Sequence, residues 1–162
     1  MASKASIMGH PIHPMIIPFP FALWTFSLVA DVMYLWRGNE HWALTAFYTL
    51  AAGLIGGVVA AIPGLIDWLA IKDREVARIA NWHARLNIIA LIVFAVDFYL
   101  RWRNKGQIAE EGISLPFILS LFGVILISIS GWLGGDLSYK HGVGVAPQHD
   151  TPEEEVAKVR YP

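Results

Sequence analysis

The 162-residue sequence predicts an all-α fold, an integral membrane four-helix bundle with antiparallel neighbouring helices and a proline-rich extended N-terminal segment. Three observations predict it. Hydrophobic residues make up 56% of the chain and charged residues 15%, with a mean hydropathy of +0.50; an average soluble domain carries about 25% charged residues. Four predominantly apolar stretches, Pro20 to Trp36, Ala43 to Ile71, Trp82 to Trp102 and Ile113 to Leu137, approach or exceed the about 20 helical residues that a bilayer core requires. The tryptophans form two belts, with Trp36, Trp42 and Trp102 at span ends facing one side and Trp68, Trp82 and Trp132 at ends facing the other. Indole favours that level because its ring stays in lipid while its N–H reaches the wet headgroups.

Along the chain, Met1 to Gly9 carries a single Lys4 and no long apolar core ahead of a small-residue cleavage site, so no removable signal peptide is expected. Pro11, Pro14, Pro18 and Pro20 follow closely. Each disfavours the helical region for the residue before it, so His10 to Phe19 is expected to be extended. The first regular helix then begins near Pro18 to Pro20, proline being tolerated in a first turn. Extended backbone at membrane depth has to be covered by protein, which makes this segment a lid over the helix ends on its own side. The second span repeats Ala52, Gly56, Ala60 and Gly64 at a spacing of four, with Gly53 and Gly57 alongside. Small residues in that pattern allow close approach of another helix; room for a flat cofactor is the alternative use. Pro63 removes a backbone donor and is expected to kink this span near its end. In the third span His83 and Asn87 share a stripe, and Asp97 stands four residues before Arg101 in the order that favours a structural ion pair. Gly123, Gly131 and Gly135 give the fourth span a weaker small face.

The connections, around Arg37 to Trp42, Lys72 to Asn81 and Arg103 to Gly112, are short enough to make consecutive helices antiparallel neighbours. Four crossings put both termini on one side. Residues 1–145 then form the membrane domain and 146–162 a polar tail, in which Thr151-Pro152-Glu153-Glu154-Glu155 has the form of a capped helix start.

The net charge of −1 supplies no basic field for nucleic acid. The absence of cysteine excludes disulfides, thiolate zinc sites, iron–sulfur ligation and covalent haem attachment. No nucleophile motif surrounds the serines, so no catalytic residues are assigned and an electron-transfer or binding role is expected over a stand-alone enzyme.

Following each helix end to its side gathers His10, His13, Asp67, Asn81, His83, Arg85, Asn87, Asp136 and His141 at one membrane face, while His41 lies opposite and His149 in the tail. Ionisable groups near membrane depth are costly and tend to mark function. Three uses follow. Two neutral imidazoles, His13 and His83, with His10 or His141 as substitutes, could hold b-type haem (haem b) for electron transfer to or from a quinone or a redox partner protein, with Arg85 or Asn87 meeting the propionates. Alternatively His10, His13, His83, His141, Asp67 and Asp136 supply imidazole and carboxylate donors for Zn or Cu. The third use is non-catalytic, an accessory subunit of a membrane complex whose polar face docks a partner or relays protons.

Gly9-His10-Pro11-Ile12-His13-Pro14, Pro63-Gly64-Leu65-Ile66-Asp67-Trp68, His83-Ala84-Arg85-Leu86-Asn87 and Gly134-Gly135-Asp136-Leu137-Ser138-Tyr139-Lys140-His141-Gly142-Val143-Gly144-Val145 resemble a bacterial family of predicted membrane proteins known as domain of unknown function 2231. The resemblance covers nearly the whole chain up to about Val145. In larger chains that domain is joined to Rieske or cytochrome c modules, so the resemblance implies, by association, an electron-transfer setting. It also implies the bacterial cytoplasmic (inner) membrane. Lys4, Lys72, Arg74, Arg78, Arg85 and Lys140 lie near the polar face against Arg37, Arg101, Arg103 and Lys105 near the other, a balance that predicts cytoplasmic termini.

Overall fold

Each apolar stretch forms a helix long and apolar enough to cross a membrane. The computed structural model describes residues 3–103 and 114–145. A two-stranded hairpin, β1 (Ser6–Ile7) and β2 (His10–Pro11), leads into α1 (Ile12–Ile16), α2 (Pro18–Arg37), α3 (Glu40–Leu69), α4 (Arg74–Arg103) and α5 (Ser114–Tyr139). The predicted tail from residue 146, with His149, and nearly all of the link from Arg103 to Gly112 lie outside the described residues.

The N-terminal segment corrects the expectation of an extended run from His10 to Phe19. Only its start is extended, in a hairpin that turns through Met8 and Gly9 at φ 51° and 81°. Ile12–Ile16 are helical. Pro14 is the third residue of α1 and Pro18 the first of α2, positions whose N–H would have no intrahelical partner, so neither ring removes a hydrogen bond.

The helices α3 and α4 begin earlier than the apolar stretches within them. Gly38, at φ 63°, ends α2 in the left-handed conformation, and Asn39 caps α3 by accepting from the His41 N–H at 2.9 Å. Asp73 accepts from the N–H groups of Glu75 and Val76 at 2.9 and 3.0 Å. That cap starts α4 at Arg74, where a connection as far as Asn81 was expected, because a side-chain acceptor compensates the free amides of a first turn.

Helix α2 packs along α3 and α4 along α5, and contacts of α3 with α4 and of α2 with α5 complete the ring. The centre is filled across one diagonal. Trp24 of α2 stacks on Phe94 of α4, with ring centroids 4.4 Å apart and planes at 13°. Glycines stand behind both rings. A Cβ on Gly53 or Gly57 would come within 2.6 or 2.5 Å of the indole, and one on Gly123 within 2.5 Å of Phe94. The slot considered for a flat cofactor is therefore taken by Trp24. The buried stripe of α3 is Gly53, Gly57 and Ala60, whereas Ala52 is exposed. Strict four-residue steps advance 400° and so drift about 40° per step around a 3.6-residue helix, while alternating steps of four and three stay on the seam.

The far end, marked by Trp36 and Trp102, holds a buried charge cluster. Arg101 makes a two-pronged pairing with Asp31 of α2, both bonds 2.7 Å, and its Nε donates to Asp97 Oδ1 at 2.8 Å. Ser120 of α5 donates to Asp97 Oδ2 at 2.8 Å and accepts from Arg101 at 3.1 Å. The expected Asp97–Arg101 pair is present, but it is part of a three-helix tie.

Two substitutions test this packing. Arg101→Leu, which strands two buried carboxylates, should cost roughly 3–5 kcal/mol in equilibrium unfolding in mixed micelles, with Arg101→Lys recovering only part because an ammonium cannot reproduce the fork. Gly57→Ala should destabilise by about 1–3 kcal/mol through overpacking against Trp24.

Candidate functional site

The opposite end of the bundle is built on two imidazoles. His83 and Asn87 sit one turn apart on α4, facing Ser130 and Gly134 of α5. The Nδ1 of His83 donates to the Ser130 carbonyl at 2.8 Å. A carbonyl can only accept, so Nδ1 carries the proton and Nε2 the lone pair. That lone pair meets Asn87 Nδ2 at 3.0 Å, and the same amide also donates to the His83 carbonyl at 3.0 Å. Ser130 Oγ lies 3.1 Å from His83 Nδ1 and donates to the His83 carbonyl at 3.2 Å.

His13, on α1, is held in the same way by α3. Its Nδ1 donates to the Ala60 carbonyl at 2.7 Å. The two rings stand nearly perpendicular, with centroids 6.3 Å apart, and both side chains are half-buried. A glycine flanks each. A Cβ on Gly64 would fall 2.9 Å from His13 Nδ1, and one on Gly134 would fall 3.1 Å from His83 Cε1.

A strap holds α1 in place. The Asp67 carboxylate, one turn beyond Pro63-Gly64, accepts from Ser3 Oγ at 2.7 and 2.9 Å, from the Lys4 N–H at 2.7 Å and from the Ala5 N–H at 3.1 Å. The Ile12 N–H closes the loop onto the Ala5 carbonyl at 2.9 Å. The first residues are thus tied to α3 as a pinned hairpin and a helical turn. At the other terminus α5 ends as Gly142, at φ 62°, lets the Val143 N–H return to the Leu137 carbonyl. That turn brings Gly144 towards Pro11.

The remaining predicted site residues have other partners or positions. His10 is exposed and bonds the Met8 carbonyl. Asp136 pairs with Lys140 four residues on at 2.8 Å. The half-buried His141 follows in the turn after α5. Arg85 is exposed and lies 5.5 Å above the Trp82 ring, and Asn81 accepts from Trp68 Nε1 at 2.7 Å. Of the six donors considered for Zn or Cu, His13 and His83 come together. Asp67 and Asp136 are drawn to backbone amides and to a lysine, and among the described residues no three His, Asp or Glu side chains gather to hold a metal ion. Sequence reasoning missed Ser3 and the carbonyls of Ala60 and Ser130. A backbone acceptor has no sequence signal, although Ser130 inside an apolar span was a visible polar anomaly.

A family model described as "Predicted membrane protein (DUF2231)" matches residues 9–147. No curated protein and no solved structure matches the chain.

Removing the strap's acceptor should free the N-terminus without unfolding the bundle. In Asp67→Ala, amide hydrogen exchange at Lys4, Ala5 and Ile12 should rise by at least tenfold, while exchange around Phe94 should stay at its wild-type rate.

Proposed function

The chain belongs to the family of predicted membrane proteins designated DUF2231, and on that footing we propose that its two-histidine site binds b-type haem and passes electrons within the membrane. The observation that carries this reading is the paired presentation of His13 and His83. Metal-binding imidazoles commonly donate their second ring N–H to a backbone carbonyl, which fixes the tautomer and the ring orientation. Both histidines do this, to Ala60 and Ser130. The ring centroids of His13 and His83 stand 6.3 Å apart, so the two imidazoles would be the residues to hold one bound haem.

The size of the donor set favours haem over a bare Zn or Cu ion. A porphyrin brings four equatorial nitrogens and asks the protein for axial ligands only, whereas protein zinc sites use three or four side-chain donors. Gly64 and Gly134 let the two rings pack directly against the backbones of α3 and α5. Asn87 can leave His83 Nε2 and still donate to the His83 carbonyl. Haem iron, when bound, supplies one-electron transfer, and the exposed Arg85 on the same helix is available to the propionates. A membrane quinone or a redox protein is the proposed electron partner.

The proposed setting is the bacterial inner membrane with cytoplasmic termini. Arg101, counted at the far face from its sequence position, is buried in the ion cluster. Its removal from that count strengthens the excess of basic residues at the site face.

Protein purified from haem-supplemented cells should show a Soret band and about one haem per chain, lost in both His83→Ala and His13→Ala and kept in His41→Ala at the far face. Wild-type protein with no Soret band, or with stoichiometric Zn or Cu in its place, would overturn the reading.

A further inference from the structure

A groove lies between helices α4 and α5 at the histidine end. The groove between them has a volume of about 540 Å³ and is lined by Arg78, Ile79, Trp82 and Leu86 of α4 with Ile129 and Leu133 of α5. Its direction follows from helix geometry. Trp82 and Trp102 are 20 residues apart on α4, which at 1.5 Å per residue is about 30 Å, the thickness of the hydrocarbon core. Arg78 then lies about 6 Å outside the Trp82 level and Leu86 about 6 Å inside it. The contacts of His83 with Ser130 and Gly134 set the antiparallel register, so Leu133 is level with Trp82 and Ile129 with Leu86. The groove therefore runs along the membrane normal, with a guanidinium at headgroup depth and an apolar wall beneath it.

Arg78 is exposed, and neither its own helix nor the facing one supplies a carboxylate to it: the ion pairs among the described residues are those of Arg101 and Lys140. We propose that this groove is a binding site for one anionic phospholipid, with its phosphate against Arg78 and an acyl chain laid along Trp82, Leu86, Leu133 and Ile129. Guanidinium and phosphate match in charge and in bidentate geometry. An uncharged isoprenoid quinone would fill the apolar wall and leave the cation without a partner. The lining residues Trp82, Ile129 and Leu133 are the sequence neighbours of His83, Ser130 and Gly134, so a seated acyl chain closes the helix seam beside the imidazole against headgroup water. That consequence holds whatever the two histidines bind.

Native mass spectrometry of the full chain, released from mixed micelles containing equimolar phosphatidylglycerol and phosphatidylcholine, tests the site. The wild type should retain about one phosphatidylglycerol, favoured about fivefold over phosphatidylcholine, as one interfacial arginine provides. Arg78→Gln should bring the two lipids to parity, Arg78→Lys should keep the preference, and Leu133→Trp, which fills the groove, should lower retention of both. Equal retention by the wild type, an undiminished preference in Arg78→Gln, or a quinone as the retained species would sink the assignment.

Discussion

In lipid, helices gain little by hiding apolar side chains from one another, so the separation of a bundle's helices is set by what fits between them. Here that object is the Trp24–Phe94 stack. It spans the α2–α4 diagonal, and Gly53, Gly57 and Gly123 on the other two helices give up their side chains to admit it. Leu50, Ala90, Leu126 and Ile127 fill the remaining core around it. With the centre so closely filled, sliding or rotating one helix would drive an aromatic ring into backbone. The stack thereby fixes the register on which both polar ends depend.

Those two ends use opposite chemistry. At one, Arg101 is enclosed by Asp31, Asp97 and Ser120, and every carboxylate oxygen has a donor. The cluster joins α2, α4 and α5 near the level of the far tryptophans. At the other end, each imidazole uses Nδ1 to grip a backbone carbonyl, and His83 also accepts from Asn87 at Nε2. His83 is on a thirty-residue helix. His13 is on a helix of five residues, and its position is secured from outside by the Asp67 strap and from beneath by the Ala60 carbonyl. Supporting contacts of this kind hold a site residue in place when its own element is too short to do so.

The N-terminal segment shows how far local rules carry. Four prolines within ten residues argue against helix when each is considered alone. Helix starts are exempt from that argument because their amides have no partner to lose. Pro14 and Pro18 fall on such starts, a fact that depends on where the chain turns and that Asp67, about fifty residues away in sequence, helps to decide.

Hydropathy, the two tryptophan belts and the short links determined the four spans and their antiparallel order. These follow from the thickness of the bilayer and the cost of wetting or burying side chains, and such costs can be read one residue at a time. The helix starts at Asn39 and Asp73 were also written locally, as capping residues, although the apolar boundaries drew attention past them. Only the tertiary structure decided that Gly53 and Gly57, rather than Ala52 and Gly56, receive Trp24, and that Asp31 joins the Asp97–Arg101 pair. It likewise decided that Asp67 ties down the N-terminus while His13 and His83 meet. Each of these outcomes depends on the rotation of one helix about its axis relative to another, or on a backbone carbonyl as partner. Neither quantity belongs to any single stretch of sequence; both arise only when the four helices pack together.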